Sequence, residues 1–234
     1  MNNPEITKLE DKIQHLEQMN IELRRTISHL KAAYHELQNA FLYTMHNVVM
    51  TAEFRTEDRD KAFSRVSRYV ALMAQSMGLQ EDEIKVIKDA SATYDLGKIG
   101  IPADILLKPD KLSDEEFDII KTHTILGGNL LGVSEDKTFL MARQIALSHH
   151  ERWDGSGYPI GLAQEKIPLP ARLVALADVF DALISKRPYR EAFPANIACE
   201  MIRNERNKHF DPDIVDVFER CYEEIIKIRS EKHV

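Results

Sequence analysis

Apolar residues in the first forty positions recur every seven residues. Ile6, Ile13, Ile27, Tyr34 and Phe41 share one register, Asn20 interrupts it, and Leu9, Leu16, Leu23, Leu30 and Leu37 stand three residues after the members of that series up to Tyr34. In heptad terms Ile is favoured at a, Leu fills every d as far as Leu37, and one Asn occupies an a position. That combination favours a parallel two-stranded coiled coil, in which paired Asn20 side chains fix the register at some cost in stability. No Gly or Pro occurs between Pro4 and Gly78, so a long helix, or helices, is predicted for this stretch. A single amphipathic helix lying on its own domain is the alternative, but it leaves five unbroken Leu at d without a reason. The pattern therefore predicts a homodimer through residues 6–41.

From about residue 45 the period changes. AFSRVSRYVALMAQSM (62–77), EEFDIIKTHTILGGNLL and ARLVALADVFDALISK place apolar residues at three- and four-residue spacing, and strand-like alternation is scarce. The predicted fold is all-α, with a coiled-coil dimerisation helix over 1–44 and a helical bundle over 45–234. Ser113 opens S-x-x-E, a capping box that starts the helix carrying Ile119, Ile120 and His123. His123, three residues after Ile120, faces the core with it. His149 and His150 follow Ile145 and Ala146 by four residues and leave the end of a helix that begins near Phe139. Asp178 sits inside LVALADVFDAL, four residues after Val174, where a carboxylate must be paired or must coordinate a metal.

Composition narrows the classes. A chain of 234 residues, 44% hydrophobic and 29% charged, can hold one sizeable core plus an appendage. A net charge of −7 argues against a face for polymeric nucleic acid but leaves room for a local basic pocket that takes a small phosphate ligand. Cys199 and Cys221 are the only cysteines and are not closely spaced, which fits a reducing compartment and argues against a zinc ribbon. There is no run of about 18 apolar residues, and the opening MNNPEITKLEDK has no signal-peptide core. A chain without a membrane span, located in the cytoplasm, is expected.

The candidate chemistry centres on SHHERWDGSGYP, residues 148–159. Adjacent residues on a helix point about 100° apart, so His149 and His150 serve two neighbouring points in space. Asp95, His123 and Asp178 are the partners sought, each from a separate helical segment. Singly each is ordinary: a lone core histidine is more often hydrogen-bonded than metal-bound, and Asp178 could pair with Arg172 or Arg187. As a set, imidazoles and carboxylates suit iron, manganese, zinc or nickel. Asp154, Gly155, Gly157 and Pro159 are residues any helix connection could use, and Trp153 could simply cap the core.

HHERWDGSGYP, with YDLGKIGIPADILLKPDKL, IIKTHTILGG and LVALADVFDALISKRPYR, resembles the HD-GYP family of HD-domain metal-dependent phosphohydrolases, in order over roughly residues 45–225. The resemblance implies an all-helical domain hydrolysing the bacterial second messenger cyclic di-GMP to pGpG or GMP with two or three metal ions. It makes Asp95, His123, His149, His150 and Asp178 the metal-ligand positions and puts Lys98, beside Asp95, on the scissile phosphate. It also assigns Tyr158, Arg187 and Arg190 to nucleotide binding. Family members' GYP loops are linked to diguanylate-cyclase docking, so such a protein or another signalling partner is implied.

The chain departs from that family at two imidazoles. SATYDLGK has Tyr94 where the name-giving histidine stands, and Ala62 occupies the histidine position three residues before Arg65 and Val66. Asp58, four residues before Ala62, stands where trinuclear members place a glutamate. Both missing imidazoles serve mainly one metal, leaving that site Asp95 and Asp178, while its neighbour retains Asp95, His123 and one or both of His149 and His150. Tyr94 is expected to fill the vacated volume and hydrogen-bond Asp95, with tyrosinate ligation as the alternative. The implied cofactor is a divalent transition metal, iron or manganese, with one ion or none bound. Three functions follow from the ligand count: a degenerate domain kept as a cyclic di-GMP-linked sensor or interaction module, an active phosphodiesterase with altered metals, or a phosphohydrolase for another nucleotide. The first is expected, because two metals divide water activation and charge stabilisation between them.

Overall fold

In a computed structural model, residues 4–52, 57–186 and 191–231 are described, and among them the regular elements are all helical. The chain divides into two units, Met1–Thr44 and Met45–Val234. Helix α1, Pro4–Ala52, is one uninterrupted element, as the lack of Gly and Pro predicts. Its five d-position leucines are 59–69% exposed along this unit. Asn20 accepts a 2.9 Å bond from Arg24 on the next turn.

The second unit is built around one amphipathic and one apolar helix. Helix α2, Glu57–Ser76, buries Val66, Tyr69, Val70, Met73 and Ala74 on one stripe. It is followed by Gly78, which turns the chain at φ +82°, and by α3, Glu81–Ser91. A 3-10 turn, Leu96–Gly100, leads to α4, Ala103–Leu106, and then to α5, Asp114–Lys121, α6, His123–Leu131, and α7, Lys137–Ser148. A long loop holding the short 3-10 turn Gln164–Lys166 leads to α8, Leu169–Ile184. Helix α8 is apolar nearly all round and buries Leu173 through Ala177, Phe180, Leu183 and Ile184, as a central helix must. Helices α9, Ala195–Asn204, α10, Pro212–Arg220, and α11, Tyr222–Ser230, close the bundle. Phe180 meets Tyr69 and Phe218 edge-on at centroid distances of 6.3 and 4.8 Å. Burial of each such ring contributes on the order of 1.5–3 kcal/mol.

A buried ion pair locks α2 to α8. Arg65 Nε and Nη2 donate to the two oxygens of Asp181 at 2.7 and 2.8 Å, a forked geometry that satisfies both groups out of water.

Three local expectations change. The Ser113 capping box forms as read, with Ser113 Oγ accepting from Glu116 N and Glu116 reaching back to Ser113 N. The helix it starts, however, stops before His123. Thr122 turns its hydroxyl and its N–H onto Ile119 O, at 2.6 and 3.1 Å, and this tighter i−3 pattern ends α5 and restarts the chain as α6. Helix α7 begins at Lys137, ahead of Phe139, because Asp136 caps it by accepting from Thr138 N and Phe139 N. Arg172, read as one possible partner of Asp178, pairs instead with Asp211, the cap of α10.

Candidate metal centre

Close backbone packing sets the candidate donors side by side. A Cβ on Gly97 would overlap the His123 carbonyl and the Gly127 amide, so only glycine lets the Leu96–Gly100 turn rest on the start of α6. That contact brings Asp95, the residue before the turn, against His123, the first residue of α6. A Cβ on Gly128 would likewise strike the Leu147 side chain, so α6 approaches α7 closely near the point where His149 and His150 emerge.

Four donors converge. One ligand atom each from Asp95, His123, His149 and His150 lies within 4.8 Å of every other. His123 Nδ1 donates to Ile120 O at 2.7 Å, and His149 Nδ1 is shared between Ile145 O and Ala146 O at 3.0 and 3.1 Å. A carbonyl only accepts, so these Nδ1 atoms carry the proton and each neutral ring turns an Nε2 lone pair inward. The two Nε2 atoms face each other at 3.3 Å, and Asp95 Oδ1 lies 3.4 and 3.6 Å from them. Asp95 Oδ1 is buried without a hydrogen-bond partner. Three mutually facing acceptors repel one another unless a cation sits among them. Ligand atoms about 2.0–2.2 Å from a tetrahedral metal stand about 3.3–3.6 Å apart, so the observed spacings fit a divalent ion. The fixed Nδ1–H bonds are the outer contacts that orient metal-binding histidines.

Electrostatics keep the donors in their ligating forms. Burial lowers the His123 pKa to about 4 against the partial opposition of Asp95, and burial with the neighbouring histidines drives His150 well below its usual value. Burial raises the Asp95 pKa, but Lys98 and the two histidines outweigh it and hold the carboxylate well below the usual range. Lys98 Nζ donates to Asp95 Oδ2 at 2.6 Å, fixing which oxygen is left for a metal.

Asp178 stands apart from this group. Its Oδ1 accepts a 2.7 Å bond from the hydroxyl of Tyr94, which was expected to bond Asp95. Burial first, and then the charge of Asp95, raise the Asp178 pKa, against the opposing Tyr94 bond. Tyr94 is buried and meets the His149 ring edge-on at 5.3 Å, so it packs between Asp178 and the histidines. Arg187 and Arg190 lie outside the described residues, as do the side chains of Asp58 and Ala62.

The glutamate of HHERWDGSGYP has a role that the sequence reading missed. Glu151 is 2% exposed, and its two oxygens accept from Ile160 N, Gly161 N and Leu162 N at 2.9–3.1 Å. It staples the far side of the loop beneath the histidines. Tyr158 N donates to His150 O, and the Tyr158 ring stacks on His150 at 4.8 Å and 24°. Gly157 admits no Cβ, because one would overlap the Glu151 and Arg152 backbone. Trp153 is tied to the C-terminal helices through its N–H on His209 O, and the Arg172 guanidinium lies 5.7 Å over its ring. Only the glutamate's place in the motif hinted at its role.

Comparison with known proteins follows the same lines. A family model described as "HD domain" matches residues 9–214. The cyclic di-GMP phosphodiesterase response regulator RpfG of Xanthomonas campestris pv. campestris is 41% identical over 191 residues, 82% of this chain and 50% of that protein. The 3'3'-cGAMP-specific phosphodiesterase 2 of Vibrio cholerae is 35% identical over 226 residues, 97% of this chain and 43% of its own length. The chain thus spans about half the length of the curated relatives it matches. A solved cyclic GMP-AMP specific phosphodiesterase of V. cholerae, V-cGAP3, shares the fold with a TM-score of 0.57 and 19% identity, over 80% of this chain and 50% of that one.

Proposed function

The chain belongs to the HD-domain family, and from that premise we propose that it is a degenerate HD-GYP-type domain that holds one divalent metal, iron or manganese, binds cyclic di-GMP and hydrolyses it slowly or not at all. The observation that carries this reading is the division of the acidic and basic groups. Asp95, His123, His149 and His150 converge on one point, while Asp178 is turned to the Tyr94 hydroxyl at 2.7 Å. A tyrosine hydroxyl is a poor substitute for the imidazole expected there, and a carboxylate that accepts its hydrogen bond has one oxygen engaged away from a metal.

A metal in the four-donor site would supply Lewis-acid stabilisation of charge on a phosphate oxygen. The protein's own groups then divide the work of binding. Lys98 orients Asp95 and would supply a cation for a second phosphate oxygen. Tyr158, stacked on His150, forms the wall beside that point. Arg187 and Arg190 are proposed to clamp the other phosphate of a dinucleotide. A single ion there would have to supply both water activation and stabilisation of the leaving oxygen, so slow turnover is expected. Residues 1–44 serve as the dimerisation helix of this reading and residues 45–234 as the ligand-binding domain, which signals to a diguanylate cyclase or another protein from the cytoplasm.

The test is elemental analysis of protein purified without added metal or chelator, alongside a cyclic di-GMP hydrolysis assay. About one metal per chain with slow or absent turnover is expected. Ala62→His with Tyr94→His together should raise the metal content toward two and bring in measurable hydrolysis, and either change alone should do much less. Rapid turnover by the unmodified protein, with two or more tightly held metals, overturns the reading.

A further inference from the structure

A small cavity lies beside the loop that follows His149 and His150. Its polar lining is Glu151 from that loop, Arg172 from α8, His209 from the α9–α10 turn and Asp211, the cap of α10, with Trp153 and Ala175 among the remaining walls. Arg172 is only partly satisfied there. Its Nη1 donates to Asp211 Oδ2, and its guanidinium lies over the Trp153 ring at 5.7 Å. Its Nε is buried and has no hydrogen-bond partner among the described residues. A donor withdrawn from water and left unmet is costly, and such donors in folded proteins nearly always have a partner. Asp211 has acceptor capacity to spare. Its two oxygens take one bond each, from Arg172 and from Asp213 N at 2.9 Å, out of the roughly four that a carboxylate can accept.

We propose that this cavity is a binding site for one ordered water molecule, which accepts from Arg172 Nε and donates to the Asp211 carboxylate. Size and charge select the occupant. The centre of the cavity offers about 10 Å³, which is room for about one water molecule. An anion would meet two carboxylates, Glu151 and Asp211, against one guanidinium. A metal cation would meet that guanidinium, and the Glu151 oxygens are already held by Ile160 N, Gly161 N and Leu162 N. Water is neutral, and it supplies both the acceptor that Nε lacks and hydrogens that the carboxylate can take. Burial lowers the His209 pKa to about 4, so the ring is neutral at pH 7 and keeps one donor and one acceptor nitrogen for a further contact. A buried water typically makes about three such bonds. This one fills the joint between α8, the cap of α10 and the loop whose Trp153 N–H is bonded to His209 O. The site needs neither metal nor nucleotide.

A high-resolution crystal structure of the full chain, grown with sodium bromide, tests the occupant. An ordered water within about 3.2 Å of Arg172 Nε is expected. An anomalous bromide peak at that point assigns the site to an anion, and the absence of density there makes the cavity dry; either result overturns the proposal. Urea denaturation of two variants of the full chain gives an independent reading. In Ala175→Ser the hydroxyl oxygen takes over from the water as acceptor, so the unfolding constant should stay within about 3-fold of wild type, the helix-propensity cost of serine included. In Ala175→Val the added methyls expel the water and strand the Nε–H, and the unfolding constant should rise roughly 10-fold. Ala175→Ser markedly more stable than wild type would mean that Nε–H had no partner to replace. Ala175→Val as stable as wild type, or more so, would mean that a dry space had been filled. Each of these outcomes overturns the water site.

Discussion

Glu151→Gln changes one atom and tests how the loop beneath the histidines is held. Each Glu151 oxygen serves two N–H groups: Ile160 and Gly161 for Oε1, Gly161 and Leu162 for Oε2. An amide keeps one oxygen and turns an NH2 toward the other pair. Gly161 N, which faces both oxygens, retains a partner in either orientation. One of Ile160 N and Leu162 N is then left facing a donor on a buried side chain, and the surviving bonds lose the carboxylate's charge. One lost bond to a charged group costs about 1.5–3 kcal/mol, and weakening of the others brings the expected total to roughly 3 kcal/mol. For a domain of this size that corresponds to a fall in Tm of about 6–12 °C. Circular dichroism melts of the two proteins at neutral pH give the comparison. Because the loop carries Tyr158 onto His150, the variant should also lose affinity for cyclic di-GMP while keeping its secondary structure. A Tm within about 2 °C of wild type would mean that the loop is held by its glycine turns and the Trp153 contacts, and the staple would be refuted.

Acid stability should follow the buried imidazoles. The His209 pKa is lowered to about 4 by burial and then by Arg152, against the pull of Glu205 and Asp154. The unfolded chain therefore takes up this proton first as pH falls below about 6.5, and native stability should drop between pH 7 and about 4.5. His209→Phe should flatten that part of a urea-denaturation profile, and an unaltered slope would remove His209 as a cause. In the N-terminal helix, Asn20→Leu should raise the melting temperature and broaden the oligomer distribution seen by light scattering, since a buried polar pair exchanges stability for register. A variant that remains a sharp dimer would refute a register role for Asn20.

Patterns with a short period were the most legible part of the chain. The all-α class, the unbroken run of α1 and the Ser113 capping box all depend on residues a few positions apart, where helix geometry dictates who meets whom. His149 and His150 could be singled out because their spacing from Ile145 and Ala146 puts them at the inner end of a helix. What escaped was decided by competition between single groups or by distant partners. The break at Thr122 turns on which donors reach the Ile119 carbonyl. Tyr94 and Asp178 are 84 residues apart, and no periodicity connects a hydroxyl on one segment with a carboxylate on another. The same holds for Arg65 with Asp181, and for Arg172 with Asp211. Glu151 was hidden because its partners are backbone amides, which every sequence contains.

The Gly97 contact bears on how such a site changes over generations. Asp95 and His123 are set beside each other by main chain resting on main chain, through a residue that has no side chain to vary. Neighbouring positions are then free to exchange residues without disturbing the frame. Position 94 takes no part in that contact, so the residue there can vary while Asp95 and His123 keep their places. Candidate donors can thus be exchanged singly while the architecture survives. Substitution of Gly97 itself closes that route, since it moves two candidate donors at once.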